Sequence, residues 1–211
     1  MIDWKAPLRE CRICPRACGI NRTAGARGFC GAGTLVRVAR TMLHRWEEPC
    51  LIGAHGAGAV FFSHCTLHCV YCQNHEISRG ERGDLLSVEE LAECFLELES
   101  QGAATLDLVT PTHYTPQILA ALELARTAGF SRPVVWNTSG YESVETISLL
   151  KGHVDIYLPD LKYDNEESAR RCSAAPGYAA AAYAALAAMV AQVGAVRFAP
   201  DGRLLSGVLV R

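Results

Sequence analysis

The 211-residue chain carries 20 basic against 22 acidic residues, a formal net charge of −2, and half of it is hydrophobic. That balance supports a substantial core in one domain of ordinary size, and it offers no clustered Lys and Arg to draw in a phosphate backbone, so nucleic acid is not an expected partner. Met1 to Pro7 contain no apolar signal region and no apolar run reaches membrane-spanning length, which predicts a cytoplasmic protein with no membrane partner.

Ten cysteines in a reducing compartment argue for metal binding over a disulfide framework. The first group is Cys11, Cys14 and Cys18, with Cys30 following after eleven residues. Four thiols suffice for a tetrahedral zinc site or an iron–sulfur cluster. Reduced cysteines packed in a loop-rich segment are the plain alternative, because a free cysteine packs like a small hydrophobe. Gly19, Gly25, Gly28, Gly31 and Gly33 let the backbone wrap there, and Arg9, Arg12, Arg16, Arg22 and Arg27 offset the charge of a thiolate site. A short strand is expected over Thr34–Val38, after which Glu47-Glu48-Pro49-Cys50 and Gly53, Gly56 and Gly58 break regularity. The Cys-rich segment is therefore taken as residues 1–57.

From residue 59 onward, strands and helices alternate as in a parallel sheet built from βαβ units. The first strand, Ala59–Ser63, runs into Cys65-Thr66-Leu67-His68-Cys69-Val70-Tyr71-Cys72. Three thiols at C-x3-C-x2-C spacing fill three iron corners of a four-iron cluster and leave the fourth open to a small molecule. A zinc site or ordinary packing is the competing reading of the triplet, and His64 and His68 flank it without being expected ligands. Ser87 opens a helix with Glu90 completing a capping box; Cys94 within it reads as a structural thiol. Leu106–Thr110 is the second strand, and Thr115 is expected to cap the next helix, with Pro116 in its first position and Gly129 at its end. Val134–Asn137 is the third strand, 144–150 a short helix, 154–158 the fourth strand, and 178–192 an Ala-rich helix. Two short strands, 195–198 and 204–210, surround the turn Pro200-Asp201-Gly202. The last of them reads as the opening of another barrel strand.

Ligands of parallel α/β folds gather at the carboxyl ends of the strands. Thr110, Thr112, His113 and Tyr114 follow the second strand, Asn137, Thr138 and Ser139 end the third, and Asp160 and Lys162 follow the fourth. Together with the cysteine loop these groups are expected on one rim, although Asp160 and Lys162 also fit a plain ion pair and His113 and Tyr114 a turn.

The stretch Phe61–Asn74, with its three cysteines and the aromatic Tyr71 before the last, resembles the signature of radical S-adenosylmethionine (radical SAM) enzymes, in particular the pyruvate formate-lyase activating enzyme-like branch. The resemblance runs from about Cys11 to the C-terminus. It implies a partial parallel (β/α) barrel of the radical SAM type over residues 58–211, of which four strand–helix units and the start of a fifth are present. A C-terminally truncated member is therefore expected. It further implies a 4Fe–4S cluster on Cys65, Cys69 and Cys72, and S-adenosylmethionine (SAM) bound against it. Tyr71 matches the position that contacts the adenine, Asn137, Thr138 and Ser139 the segment that contacts the ribose, and Asp160 and Lys162 a pair near the methionine part. Thr110 and Thr112 stand where the family places a Gly-Gly-Glu that meets the amino group. The implied activity is reductive cleavage of SAM to a 5′-deoxyadenosyl radical that abstracts hydrogen. The electron comes from a flavodoxin- or ferredoxin-like donor, and in the activating enzymes the substrate is a glycine of a partner protein. The alternatives are an electron carrier or zinc-stabilised module without catalysis, and an inactive remnant.

Overall fold

A computed structural model describes residues 3–211. A short helix α1 (Ala6–Arg9) and a cysteine-bearing loop lead into β1 (Val36–His44), α2 (Pro49–Ile52), β2 (Ala57–Phe62), α3 (His75–Ser78) and β3 (Asp84–Leu86). Helices and strands then alternate through α4 (Val88–Ser100), β4 (Leu106–Val109), α5 (Thr115–Thr127), β5 (Val134–Thr138), α6 (Val144–Leu149) and β6 (Ile156–Pro159). The chain ends in α7 (Glu166–Ser173), α8 (Tyr178–Val193), β7 (Arg197–Phe198) and β8 (Leu204–Val208). The eight strands form one sheet in the order β3-β1-β2-β4-β5-β6-β8-β7. β2, β4, β5, β6 and β8 are parallel neighbours, and β1, β3 and β7 add antiparallel edges. This is the expected α/β architecture, a partial barrel of four strand–helix units and a fifth parallel strand.

The strands form here because they are buried on both faces and therefore apolar along their length. Leu106, Leu108, Val134, Trp136 and Tyr157 pack under the helices in the main core with Leu91, Phe95, Ile118 and Leu122. Side chains alternate across a strand, so Asp107, Val135, Asn137, Ile156 and Leu158 turn to the concave face. There Val135, Ile156 and Leu158 meet Leu51 of α2, which closes the bottom. The capping box at Ser87 and Glu90 is formed in both directions. Thr115, by contrast, is the first helical residue and not the cap: Tyr114 holds that place, and the Thr115 hydroxyl donates to the Thr112 carbonyl at 2.7 Å across the 3-10 turn Thr112–Tyr114.

β1 is much longer than the sequence suggested, because only Val36 and Val38 of its nine residues are buried and the rest carry no alternating apolar signal. The helix α7 was likewise hidden by its polarity; Asn165 caps it by accepting from the Ser168 N–H at 2.9 Å. Among the described residues no single helix is long and apolar enough to cross a membrane. Only α7 and α8 taken together reach that length and apolarity, and they meet at 100°.

Candidate functional site

The carboxyl ends of β2, β4, β5 and β6 open into one cavity of about 520 Å³, within the usual size range of small-molecule sites. Cys65, Cys69, Tyr71 and Cys72 line it from the loop after β2. Thr110 does so after β4, Asn137, Thr138 and Ser139 at the end of β5, and Asp160 and Lys162 after β6. Of the groups expected on the rim, His113 and Tyr114 are buried away from the wall, Tyr114 in the main core, and Thr112 is not brought to it either. Thr112 is buried, and its hydroxyl donates to Glu142 Oε1 at 2.6 Å. Glu142 also takes the hydroxyl of Thr138 at 2.6 Å and the indole N–H of Trp136 at 3.1 Å. Asp160 and Lys162 are paired with each other on the cavity wall, and the Lys162 N–H donates to the Tyr178 hydroxyl at 2.9 Å.

The cysteine loop is wound tightly, with His64 and His68 in the left-handed region at φ 73° and 58°. Thr110, at φ 58°, shares that conformation, a rare one for a β-branched side chain and a strain that clusters at functional sites. Burial pushes the Cys65 thiol up, and backbone N–H groups of His68 and Leu67 pull it back. The Leu67 N–H lies 3.3 Å from Sγ. Cys69 Sγ accepts from the Ser173 hydroxyl at 2.9 Å, and Ser173, Tyr163 and Tyr71 are joined hydroxyl to hydroxyl. The loop is thus provided with donors aimed at sulfur.

Among the described residues no three His, Cys, Asp or Glu side chains converge as ligands of a single metal ion. A lone zinc would require its thiolates to meet about 2.3 Å from one point. A cubic cluster places each thiolate on a different iron, so its ligands stand farther apart around a shared space. The donor set fits such a cluster: three soft thiols, N–H and O–H groups facing two of the sulfurs, and an open cavity before them.

Beneath the rim lies an acid pair. Asp107 is fully buried on the concave face, and its Oδ1 has no partner. Asn137 Nδ2 reaches Asp107 Oδ2 at 3.4 Å and Glu47 Oε2 at 3.3 Å. Arg211 donates to Asn137 Oδ1 at 2.8 Å, Asp160 Oδ1 at 3.2 Å and Glu47 Oε1 at 3.3 Å. Burial, and then the neighbouring Glu47, push the Asp107 carboxyl well above the usual range. Its folded value is raised above an unfolded value of about 3.9, so above that pH the native state binds the extra proton and loses stability as pH rises. Asp107→Asn removes that loss. Its unfolding free energy, measured in urea, is expected to gain on the wild type by at least about 1 kcal/mol between pH 4 and pH 8. A pH-independent difference would contradict the assignment.

Sequence reasoning missed Glu47, Tyr163, Ser173 and Arg211. Each reaches the site from a distant part of the chain, and no local spacing signals it.

The sequence profile of the radical SAM superfamily matches residues 59–194, which span β2 to the end of α8. The chain is also 31 % identical over 190 residues, 84 % of its length, to an uncharacterized protein of Methanocaldococcus jannaschii. It spans about half the length, 54 %, of that curated relative.

Proposed function

Because the chain belongs to the radical SAM superfamily, we propose that it is an iron–sulfur enzyme of the pyruvate formate-lyase activating enzyme-like branch that cleaves SAM reductively. The observation that carries this reading is the meeting of three thiols with the polar ends of three further strands in one cavity. When bound, a 4Fe–4S cluster and SAM supply a one-electron cleavage to methionine and a 5′-deoxyadenosyl radical, with the electron delivered by a flavodoxin- or ferredoxin-like protein.

This chain's residues hold and orient. Cys65, Cys69 and Cys72 would hold the cluster, as thiolates that have given up their protons. The ring and backbone of Tyr71 receive the adenine. Asn137, Thr138 and Ser139 face the ribose. Since Glu142 occupies the hydroxyls of Thr112 and Thr138, Thr110 alone stands for the missing acidic residue at the amino group. Lys162 offers its ammonium to the methionine carboxylate, and Asp160 fixes it from two residues away. The substrate proposed from the branch is a glycine of a partner protein, entering from the open side.

The test is anaerobic reconstitution with iron and sulfide, followed by dithionite and SAM. Methionine and 5′-deoxyadenosine are expected in equal amounts. A folded, cluster-loaded protein that releases neither is an electron carrier, and the enzymatic reading fails.

A further inference from the structure

A second set of thiols lies outside the cavity. Cys11, Cys14, Cys18 and Cys30, which sequence spacing alone leaves open between metal and packing, line one small cavity of about 10 Å³ together with Arg16, Arg22 and His113. The backbone is bent to bring them there. The Cys11 N–H donates to the Ile20 carbonyl and the Gly19 N–H to the Cys11 carbonyl, both at 2.9 Å, through Ala17 and Gly19 at positive φ. Gly28 leaves room for sulfur, since a Cβ there would stand 2.9 Å from Cys18 Sγ.

The charges point the same way. Arg22 is 2 % exposed, and its hydrogen bonds go to the carbonyls of Gly33 and His113, not to a carboxylate. Its Nη1 lies 4.0 Å from Cys11 Sγ. A buried guanidinium requires a counter-charge, and the four sulfurs are placed to supply it. Four thiolates on a divalent core leave two negative charges, and Arg16 and Arg22 at the same cavity carry two positive ones. His113 is buried at this wall. Its Nε2 faces the Ser63 carbonyl at 2.8 Å, and its Nδ1 has no partner.

We propose that Cys11, Cys14, Cys18 and Cys30 are the ligands of one thiolate-bound metal centre, distinct from the three-cysteine site, that pins the N-terminal segment against the back of the cysteine loop. Three contacts transmit the hold. Arg16 donates to the Thr66 carbonyl, His113 is bound to the Ser63 carbonyl, and Phe29 stacks on His68 at 4.8 Å between ring centroids. These sulfurs, like the other three, do not converge on a single ion, so zinc would have to draw them together, whereas an iron–sulfur cluster takes thiolates that stand apart. Burial pushes the Cys14 thiol up to about 12, and metal binding must release that proton.

The experiment needs no folding-sensitive variant at the centre itself. In the anaerobically purified full chain, iodoacetamide labelling mapped by mass spectrometry reads Cys18, whose side chain is exposed. A metal-bound Cys18 is expected to react at least about tenfold more slowly than after chelator treatment. Metal analysis of the triple variant Cys65→Ala, Cys69→Ala, Cys72→Ala then isolates the second centre. It is expected to retain either about one zinc per chain or iron with matching labile sulfide, and the two results identify the metal. A natively folded triple variant with neither metal, or a Cys18 that labels equally fast with and without chelator, overturns the proposal. Neither outcome depends on SAM cleavage.

Discussion

Cys65→Ala, Cys69→Ala and Cys72→Ala will each strip the chain of the iron and sulfide of the three-cysteine site and reduce 5′-deoxyadenosine release to background. The size of the effect follows from ligand count. Even an outer partner of a metal ligand is worth about 10- to 100-fold in affinity, so loss of one ligand in three is expected to exceed about 100-fold. Serine at the same positions will not rescue, because a hard oxygen is a poor substitute for a soft thiolate on iron. The loop itself should survive. Its winding rests on backbone contacts, from the Val70 N–H to the Cys172 carbonyl and from the His64 N–H to the Ile77 carbonyl, and the variants keep both. Cys50→Ala and Cys94→Ala are the controls; neither residue lines the cavity, and both variants should keep cluster and activity. If Cys69→Ala retained its full iron content and still cleaved SAM, the proposed ligand set would be wrong.

The cysteine loop was legible because its chemistry is local: three thiols and an aromatic residue within eight positions, directly after an apolar strand. The rim was legible for a different reason. A parallel sheet delivers the carboxyl ends of its strands to one side, so the polar residues after β2, β4, β5 and β6 had to meet whatever their partners were. What could not be read was pairing across long separations. Ser173 reaches Cys69 over 104 positions, and Arg211 reaches Glu47 over 164; neither has a periodic or compositional signature. Thr112 misled for a local reason. A strand-end threonine is expected to face the ligand side, but the 3-10 turn after β4 rotates it inward to Glu142. That buried acid takes three side-chain donors on Oε1, while Oε2 has no partner, and no spacing rule connects the three.

Arg22→Met should destabilise the fold by on the order of 3–5 kcal/mol, the cost of stranding buried partners of a charged group. The guanidinium spans two places at once: Nε and Nη2 grip the Gly33 carbonyl at 3.1 and 2.6 Å, and Nη1 grips the His113 carbonyl at 2.7 Å. The first ties the Cys-rich loop to itself, and the second ties it to the turn after β4. Methionine fills a similar volume but donates nothing, so the His113 carbonyl loses its partner and the Gly33 carbonyl keeps only the long bond from Gln117 Nε2 at 3.4 Å. Lysine keeps the charge but presents a point donor where a planar fork is needed, and Arg22→Lys should recover less than half of the loss. Arg12 offers the contrast, being exposed and paired only with Glu10 two residues away; Arg12→Ala should cost no more than about 1 kcal/mol. Urea denaturation of the three variants reads these differences directly as midpoint shifts, provided that the slope is unchanged. Because Arg22 is the buried bridge between the Cys-rich segment and the barrel, beside the contacts of Arg16 and Phe29, its loss should also show as faster proteolysis at the N-terminal arginines under native conditions. An Arg22→Met protein as stable as the wild type to within about 1 kcal/mol would mean that the N-terminal segment is held to the barrel by something other than this bridge.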